Sequence, residues 1–409
     1  MQPLSDVISN LKLRASWGKA GNSNIGGDRR FAYISTIVDT GSYTWGTDAN
    51  VYRLGRSEGE IGVDNLTWET VTKMNVGLDL GLWNNSVNLV MDVFKEKRED
   101  IFMQRNNVPG SAGFNKTIWA NFGKVNNQGF DMSLNVNHQF NKDWLVSVMA
   151  NYTYAHSKVI EIDEAASVIG TYRSATGKPV GQLRGLIAEG LFTEDDFDEN
   201  GKLKEGIPKQ NFSDASNLRP GDIKYRDLNG DGEITAVDET SIGGTSVPEI
   251  VYGFGATVRY KSIDLGVFFQ GIGNTDRILQ GETWLPGSSL GAGNIYSNID
   301  DRWTPENPSQ NVFWPRMGDK AVANNERPST WWLRDMSFLR LKNLELGYTL
   351  PPVWTNKIGV RNCRLFLRGT NLLTFSKFKL WDPELETNDG LRYPQMKSIS
   401  IGLSINFNN

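Results

Sequence analysis

The stretch Met396-Lys-Ser-Ile-Ser-Ile-Gly-Leu-Ser-Ile-Asn-Phe407 decides the fold of this chain. From Ile399 to Phe407 every second residue is apolar, and the residues between them are small or polar. Successive side chains of a β-strand point to opposite faces, so the stretch predicts a strand with one apolar and one polar wall. Whether the apolar wall meets a protein core or lipid decides what kind of protein this is.

The same alternation predicts about ten long strands and no amphipathic helix. A break in the alternation at Lys342-Asn343 predicts a β-bulge. An extra strand is possible at Gly181–Phe192, and a short hairpin near Phe31–Tyr43. The long strands are predicted at Leu11–Gly18, Thr67–Trp83, Val87–Val93, Phe130–His138, Trp144–Tyr154, Val251–Tyr260, Ile263–Phe269, Met336–Thr349, Asn362–Thr374 and Met396–Phe407.

The connections between these strands alternate in length. Short turns follow Trp83, Phe140, Tyr260 and Leu350, whereas the connections 96–126, 157–249, 274–335 and 375–395 are long. Outer-membrane barrels have this arrangement, with short periplasmic turns and long extracellular loops. Aromatic residues at strand ends are typical of the interface girdles of such barrels. The candidates are Trp83, Phe94, Phe140, Trp144, Tyr152, Tyr154, Tyr260, Tyr348 and Phe407.

Composition narrows the functional classes. The 409 residues contain no apolar run of the length that a transmembrane helix needs, but barrel strands cross a membrane with alternating residues. The net charge of −4 gives no footprint for nucleic acid, and the single Cys363 excludes an internal disulfide or a cysteine metal cluster. We find no H-E-x-x-H or P-loop motif, so we expect no enzyme. Two alternatives stay open: a soluble calcium-binding β-sandwich that binds carbohydrate, and a secreted β-solenoid glycoside hydrolase.

Several segments, in order along nearly the whole chain, resemble the C-terminal half of SusC/RagA-like TonB-dependent transporters of Bacteroidetes outer membranes. No single segment is decisive, but the ordered set is specific. The segments are Leu11-Lys-Leu-Arg-Ala-Ser-Trp17-Gly, Asn65-Leu-Thr-Trp68-Glu69, Asn121-Phe-Gly123 through Gly129-Phe130, Gly221-Asp222 through Gly232, Leu339-Arg-Leu-Lys-Asn343 through Pro351, Trp381-Asp382-Pro383-Glu384 and Tyr393-Pro394-Gln395.

The resemblance implies that residues 1–409 are the C-terminal part of an antiparallel transmembrane β-barrel of 22 strands with long extracellular loops. It implies import of oligosaccharides or peptides across the outer membrane of a Gram-negative cell, together with a SusD-like lipoprotein and the TonB complex. The plug domain, the TonB-contacting segment and the first barrel strands have no counterpart in this sequence. We therefore expect that this chain alone does not perform gated uptake.

One loop carries a motif for calcium. Asp227-Leu-Asn229-Gly-Asp231-Gly232-Glu233-Ile-Thr235-Ala-Val-Asp238 fits D-x-N-x-D-G-x-I-x-x-x-D. Oxygen ligands at positions 1, 3 and 5 converge in a tight turn, a glycine at position 6 permits the bend, and positions 7, 9 and 12 complete the set. The motif predicts a structural Ca²⁺ held by Asp227, Asn229, Asp231, Glu233, Thr235 and Asp238. The alternative is an Asp/Asn/Gly turn without metal.

Further candidate side chains are aromatic or cationic. Trp284, Trp303 and Trp314 of the loop 274–335 are candidates for contact with a substrate or with the lipoprotein, although for any single tryptophan we favour packing of the loop against itself and the barrel rim. Arg364 and Arg368 lie on the polar face of their strand, which would be the barrel lumen. Cys363 lies on the opposite, apolar face, where we expect an inert thiol.

Overall fold

The computed structural model describes residues 7–25, 31–47, 51–114, 116–212, 218–281, 284, 295–318, 322–355, 357 and 359–407. Within these residues ten antiparallel strands form one sheet, in which each strand pairs with the next along the chain. The strands are β1 (Ile8–Asn22), β2 (Glu69–Leu82), β3 (Val87–Arg105), β4 (Ile118–Gln139), β5 (Trp144–Glu161), β6 (Ile250–Tyr260), β7 (Ile263–Gly273), β8 (Phe338–Thr349), β9 (Val360–Ser376) and β10 (Ser398–Phe407).

The sheet confirms the predicted all-β class and the predicted strand order. The ladder of β7 and β8 shifts register between Leu341 and Asn343, where the bulge was predicted. No helix among the described residues is long and apolar enough to cross a membrane. The one α-helix described, Pro352–Thr355, has a single turn.

Two expectations about connections were wrong in detail. The predicted loop 96–126 is much shorter, because β3 continues to Arg105 and β4 begins at Ile118. These extensions lack apolar alternation and carry cross-strand ion pairs such as Lys73–Glu96 and Lys124–Glu161. The hairpin predicted near Phe31–Tyr43 consists of Ile37–Trp45 and Val51–Glu58.

The apolar walls of the ten strands form one continuous belt. Leu13, Leu78, Met91, Met132 and Tyr152 follow one another across the first five strands. Val258, Leu265, Leu346, Leu367 and Ile401 continue the belt to β10. The described chain does not cover this belt, since Leu13 is 77% and Ile401 76% exposed. An uncovered apolar face of this size requires a lipid environment.

This geometry excludes both alternative folds. A β-sandwich would cover the apolar face with a second sheet, and a β-solenoid would stack parallel strands, whereas all neighbours in the large sheet are antiparallel. The first strand β1 and the last strand β10 do not pair with each other, so the sheet does not close into a barrel.

Most of the predicted aromatic girdle lies at the short-turn end of the belt. Trp83, Phe140, Trp144, Tyr260 and Phe407 are exposed there, and the rings of Trp144 and Tyr260 are 4.5 Å apart. Tyr348 is also exposed at this end, while Tyr152 and Tyr154 contact Phe130 further along the belt. The prediction that Phe94 belongs to the girdle was wrong.

Phe94 lies opposite Gly129 on the polar face, and its ring occupies the space that a side chain at Gly129 would need.

The long connections at the other end of the sheet pack into a second unit, which we call the outer-loop cap. It contains small strand pairs, in which Gln182–Gly185 pairs with Thr240–Thr245, Ala188–Leu191 with Ile223–Tyr225, Lys209–Gln210 with Glu233–Ile234, and Asp276–Ile278 with Leu333–Asp335. The extra strand predicted at Gly181–Phe192 is thus two short strands of the cap. Short 3₁₀ turns lie at Gly110–Ala112, Glu194–Asp196, Ala236–Asp238 and Pro383–Leu385.

Candidate functional site

The polar wall carries an ion network at its β7–β9 end. The Arg364 guanidinium, on β9, contacts Asp264 of β7 and lies 2.7 Å from the Glu345 carboxylate of β8. Arg368 donates to the second oxygen of Glu345 at 2.5 Å. Arg364 needs room on the neighbouring strand, and Gly347 provides it because a Cβ there would collide with the guanidinium. The network places Arg364 and Arg368 on the polar face, opposite Leu365 and Leu367.

A second network lies at the β1–β3 end of the same wall. The Arg14 guanidinium lies 2.8 Å from both the Asp79 and the Asp92 carboxylates. Its cross-strand partner is Gly77, where an added Cβ would lie 2.8 Å from the guanidinium carbon. Our sequence analysis missed this cluster. The signal was available, because all three charges fall on the polar faces of strands with clear alternation.

The outer-loop cap is built around tryptophans. Trp284, Trp314 and Trp332 are buried, at 1%, 0% and 0% exposure. The ring centroids of Trp284 and Trp314 are 5.0 Å apart. Their neighbours include Ile223, Tyr225, Ile234, Ile278, Leu279, Trp303 and Phe378.

The predicted contact of Trp284, Trp303 and Trp314 with a substrate or lipoprotein is therefore not supported. All three side chains lie inside the cap, so the packing alternative is the one that the structure supports. Sequence reasoning could not separate the two roles, because the loop has no periodicity from which burial can be inferred.

Buried polar groups hold the cap together. The Asp222 carboxylate is fully buried and accepts hydrogen bonds from the Arg316 guanidinium and from the Asn325 amide, the latter at 2.9 Å. Tyr225 donates its hydroxyl to the Asn324 carbonyl at 2.7 Å, and burial raises the pKa of this hydroxyl. Each of these buried groups has a partner, as stable protein interiors require.

One buried arginine joins the cap to the sheet. Arg340 of β8 is 1% exposed and donates to the Asp382 carboxylate at 2.5 Å. Asp382 also accepts the backbone N–H of Glu384, so it fixes the turn at Pro383–Leu385. The connection between β9 and β10 is thus anchored to the polar wall.

The predicted calcium loop forms a tight turn. Both carboxylate oxygens of Asp227 accept backbone hydrogen bonds, one from Gly230 at 2.6 Å and the other from Gly232 at 2.8 Å. Both hydrogen bonds lower the pKa of Asp227, and the bond from Gly232 contributes most to the lowering. Gly230 and Gly232 have φ angles of +76° and +83°, a region that favours glycine.

The acidic side chains of this loop are not arranged around a common point for a metal ion. Asp238 is buried and accepts hydrogen bonds from the backbone N–H groups of Leu228 and Thr235. Asp231 accepts hydrogen bonds from the side-chain amide of Asn229 and from the backbone N–H of Glu233. Among the described residues, no group of three His, Cys, Asp or Glu side chains is arranged to hold a metal ion. Asp227 is preorganised by the turn, whereas Asp231 and Asp238 would have to reorient.

The histidines and the cysteine occupy separate places. The Nδ1 atom of His156 lies 2.6 Å from a carboxylate oxygen of Glu249, the residue before the first residue of β6. The His138 ring contacts Phe140 at 4.4 Å near the short-turn end. Cys363 is buried on the apolar side, paired with Ile405 in the ladder.

Comparisons with known proteins agree with this geometry. Residues 4–372 match the sequence profile of the family described as TonB dependent receptor-like, beta-barrel. The chain is 30% identical over 424 residues to TonB-dependent receptor P26 of Formosa agariphila, covering 98% of this chain and 40% of that protein. It is 26% identical to TonB-dependent receptor SusC of Bacteroides thetaiotaomicron, covering 98% of this chain and 38% of SusC.

The fold is similar to that of a solved structure of the RagAB peptide transporter, with a TM-score of 0.70 and 25% sequence identity over 98% of this chain and 41% of the other. The chain thus spans about 40% of the length of the relatives it matches. The profile match covers the apolar belt from β1 to most of β9, and both ion networks. The chain therefore belongs to the TonB-dependent receptor-like β-barrel family, whose SusC and RagA members are outer-membrane proteins of Gram-negative bacteria.

Proposed function

We propose that this chain forms part of the barrel of an outer-membrane importer of oligosaccharides or peptides, and that it is not an enzyme. The observation that carries the proposal is the two-sided sheet: an uncovered apolar belt on one face and a charged, hydrogen-bonding wall on the other. A wall of this kind lines a polar passage when the belt lies in lipid. The names of its relatives, a SusC receptor and a peptide transporter, support the same class.

Closure of the passage takes additional strands. The described sheet leaves β1 and β10 as unpaired edges, and open edges are not tolerated in the hydrocarbon region. We propose that these edges pair with further strands of a larger barrel. We also propose that a SusD-like lipoprotein covers the outer-loop cap, and that the TonB complex supplies the energy for import.

Uptake by whole cells tests the proposal. Cells that produce the complete receptor are given fluorescent oligosaccharides or short peptides, with and without a protonophore. We expect uptake that stops when the protonophore is added and when the lipoprotein gene is deleted. Uptake that continues at the same rate in de-energised cells would contradict TonB-dependent import, and proton-motive-force-dependent uptake by cells producing residues 1–409 alone would contradict the need for further strands.

We propose separately that the loop Asp227–Asp238 binds Ca²⁺ and thereby stiffens the cap. The spacing of the oxygen ligands and the preorganised Asp227 turn support this. Binding requires Asp231 and Asp238 to turn toward the ion. Calorimetric titration with Ca²⁺ tests the proposal, with Asp231→Asn as the variant and Asp195→Asn as the control in a neighbouring cap loop. A folded sample that shows no heat of binding rules the calcium site out.

A further inference from the structure

A pocket of about 480 Å³ lies between two outer connections of the cap. We call it the arginine pocket. The connection between β7 and β8 contributes Arg277, Gln280 and Gly281. The connection between β9 and β10 contributes Glu386, Thr387, Asn388, Asp389 and Arg392. No role in the proposed import has yet been assigned to these residues.

The walls of the pocket are fixed by hydrogen bonds. The backbone N–H of Gln280 donates to the Asn388 carbonyl at 3.1 Å, which joins the two connections directly. Tyr296 donates its hydroxyl to the Asp389 carbonyl at 2.9 Å. A Cβ at Gly281, which has φ +148°, would lie 3.0 Å from the Asp389 side chain. The pocket is therefore part of the built structure and not a gap between loose loops.

The two arginines that line the pocket, Arg277 and Arg392, have no ion-pair partner among the residues that the structure describes. Arg277 lies directly opposite Arg334 in the short ladder of the cap, and like charges in that position destabilise a strand pair. Among the described residues, neither these two arginines nor Arg392 forms an ion pair with a carboxylate. Arg277 donates to the Asn388 side-chain carbonyl at 3.2 Å, and Arg392 donates to the Leu385 carbonyl at 3.3 Å.

The acidic groups of the pocket do not neutralise these arginines. The Asp389 carboxylate accepts hydrogen bonds from the Thr387 hydroxyl at 2.5 Å and from the Leu391 N–H at 3.0 Å. Glu386 is exposed and attracts Arg277 only at a distance. Burial, which is the largest cause, lowers the pKa of Arg277. The charge of Glu386 raises this pKa and the charge of Arg392 lowers it further. Burial likewise lowers the pKa of Arg334. Burial and the like charge of Arg392 therefore both oppose the charge of Arg277, which makes Arg277 a candidate contact for an anion.

We propose that the arginine pocket binds a carboxylate group of the imported solute, with Arg277 and Arg392 as its cationic contacts. A guanidinium presents parallel N–H groups that match a planar carboxylate. Gln280, Thr387 and Asn388 supply polar groups for the hydroxyl or amide groups beside that carboxylate. Uronic acid residues of oligosaccharides and carboxylates of peptides share this chemistry. The inference rests on the proposed import and adds a substrate class to it.

Equilibrium binding tests the inference without transport. The protein is extracted from outer membranes in detergent and titrated calorimetrically with two matched pairs of probes. The first pair is a glucuronic acid trimer and a glucose trimer, and the second is Ala-Ala-Glu and its doubly amidated counterpart Ala-Ala-Gln-NH₂. We expect the carboxylate member of at least one pair to bind about tenfold more tightly, since charge-assisted hydrogen bonds are lost in the neutral probe. The pair that shows the preference identifies the source of the carboxylate.

Variants assign the preference to the pocket. Arg277→Gln should remove most of the difference between the paired probes, and Arg277→Lys should restore part of it because the charge remains but the planar fork is lost. Lys379→Gln removes one positive charge from the same connection outside the pocket and should leave the difference unchanged. Equal affinity within both pairs, binding of no probe, or an unchanged preference in Arg277→Gln overturns the inference. Energised uptake of neutral solutes would remain possible in each of these cases, so the two proposals fail separately.

Discussion

The ten-stranded sheet exposes its large apolar side chains, whereas the outer-loop cap buries them. In the sheet, Leu265 and Ile401 are 45% and 76% exposed, whereas in the cap Trp314 and Ile234 are fully buried. The sheet has no apolar interior of its own because its apolar face is turned outward. The cap has an interior like that of a water-soluble domain. The sheet is thus suited to an apolar surrounding on its outer face, whereas the cap buries its apolar side chains as a domain in water does.

The two regions also treat charge differently. Arg14 and Arg364 of the sheet lie on an open polar wall, where each contacts two carboxylates and glycines leave room for the guanidinium. Arg340, at the junction with the cap, is 1% exposed, and Asp222 of the cap is 0% exposed. Charges in the sheet therefore stay partly exposed on the polar face, while charges in the cap serve mainly to hold loops together.

Truncation of a tryptophan gives the sharpest contrast. Trp314→Ala should destabilise the cap by about 3–5 kcal/mol, because it leaves a large cavity among Trp284, Trp332 and Phe313. Trp45→Ala, in the exposed hairpin, is the matched control and should change stability by no more than about 0.5 kcal/mol. Limited proteolysis, with guanidinium unfolding followed by fluorescence, measures both. Equal protease resistance of the two variants would show that the cap does not depend on this cluster.

An arginine on each face of the sheet tests which solvent the belt meets. Leu265→Arg places a charge at the middle of the belt and should cost about 2–4 kcal/mol if this face lies in lipid. Thr257→Arg places the same side chain on the polar wall of β6, opposite Gly266, and should cost far less. Unfolding from phospholipid vesicles gives the two free energies. Similar costs on both faces would remove the distinction between belt and wall.

Removal of an arginine from the polar wall should have a smaller effect. Arg364→Gln leaves Asp264 and Glu345 without their shared partner, but both are partly exposed and the destabilisation should be about 1 kcal/mol. The loss should shrink at high salt, because screening weakens the pair that is broken. Arg226→Gln, which removes an exposed cap pair with Glu189, is the control. A salt-independent effect of several kcal/mol would mean that Arg364 behaves like the buried charges of the cap.

The difference between the regions also explains what the sequence could predict. Lipid on one side and a polar space on the other impose a period of two, so the strands and the face of Arg364 and Arg368 were readable. Strand length was underestimated where β3 and β4 leave the belt. There pairs such as Arg98–Glu69 hold the ladder without apolar alternation.

The cap could not be predicted in the same way. Its interior gathers Leu186, Ile242, Trp284, Trp314 and Trp332 from segments far apart in sequence, and its strands are two to six residues long. No local period reports such burial, so three tryptophans were read as candidate contact residues. The turn at Asp227 was recognisable from the sequence because its hydrogen bonds join residues at most five positions apart. A short motif can determine local structure of this kind.

The smallest expected effect concerns the Glu164 carboxylate of the cap. Its titration should change the stability of the cap with pH and leave the sheet unchanged. Desolvation raises the pKa of the Glu164 carboxyl. Hydrogen bonds from the Ala175 N–H and from the Ser174 and Thr176 hydroxyls lower it by more, so the pKa lies below the ordinary 4.5. A folded-state pKa below the unfolded value means that the stabilisation is complete above pH 4.5 and is lost as the pH falls through the folded-state pKa.

Hydrogen exchange of the Ala175 and Thr176 amides should therefore quicken, relative to its intrinsic rate, as the pH falls below 4.5. In Glu164→Gln this extra dependence on pH should disappear, while amides in the middle of β5 should behave alike in both proteins. The amides of Val148, Met149 and Ala150 in β5 serve as the internal reference because none of the residues opposite them in the ladder carries a carboxylate. If acid loosens β5 and the 164–176 segment together, the cap and the sheet do not open independently, and the separation of the two regions fails.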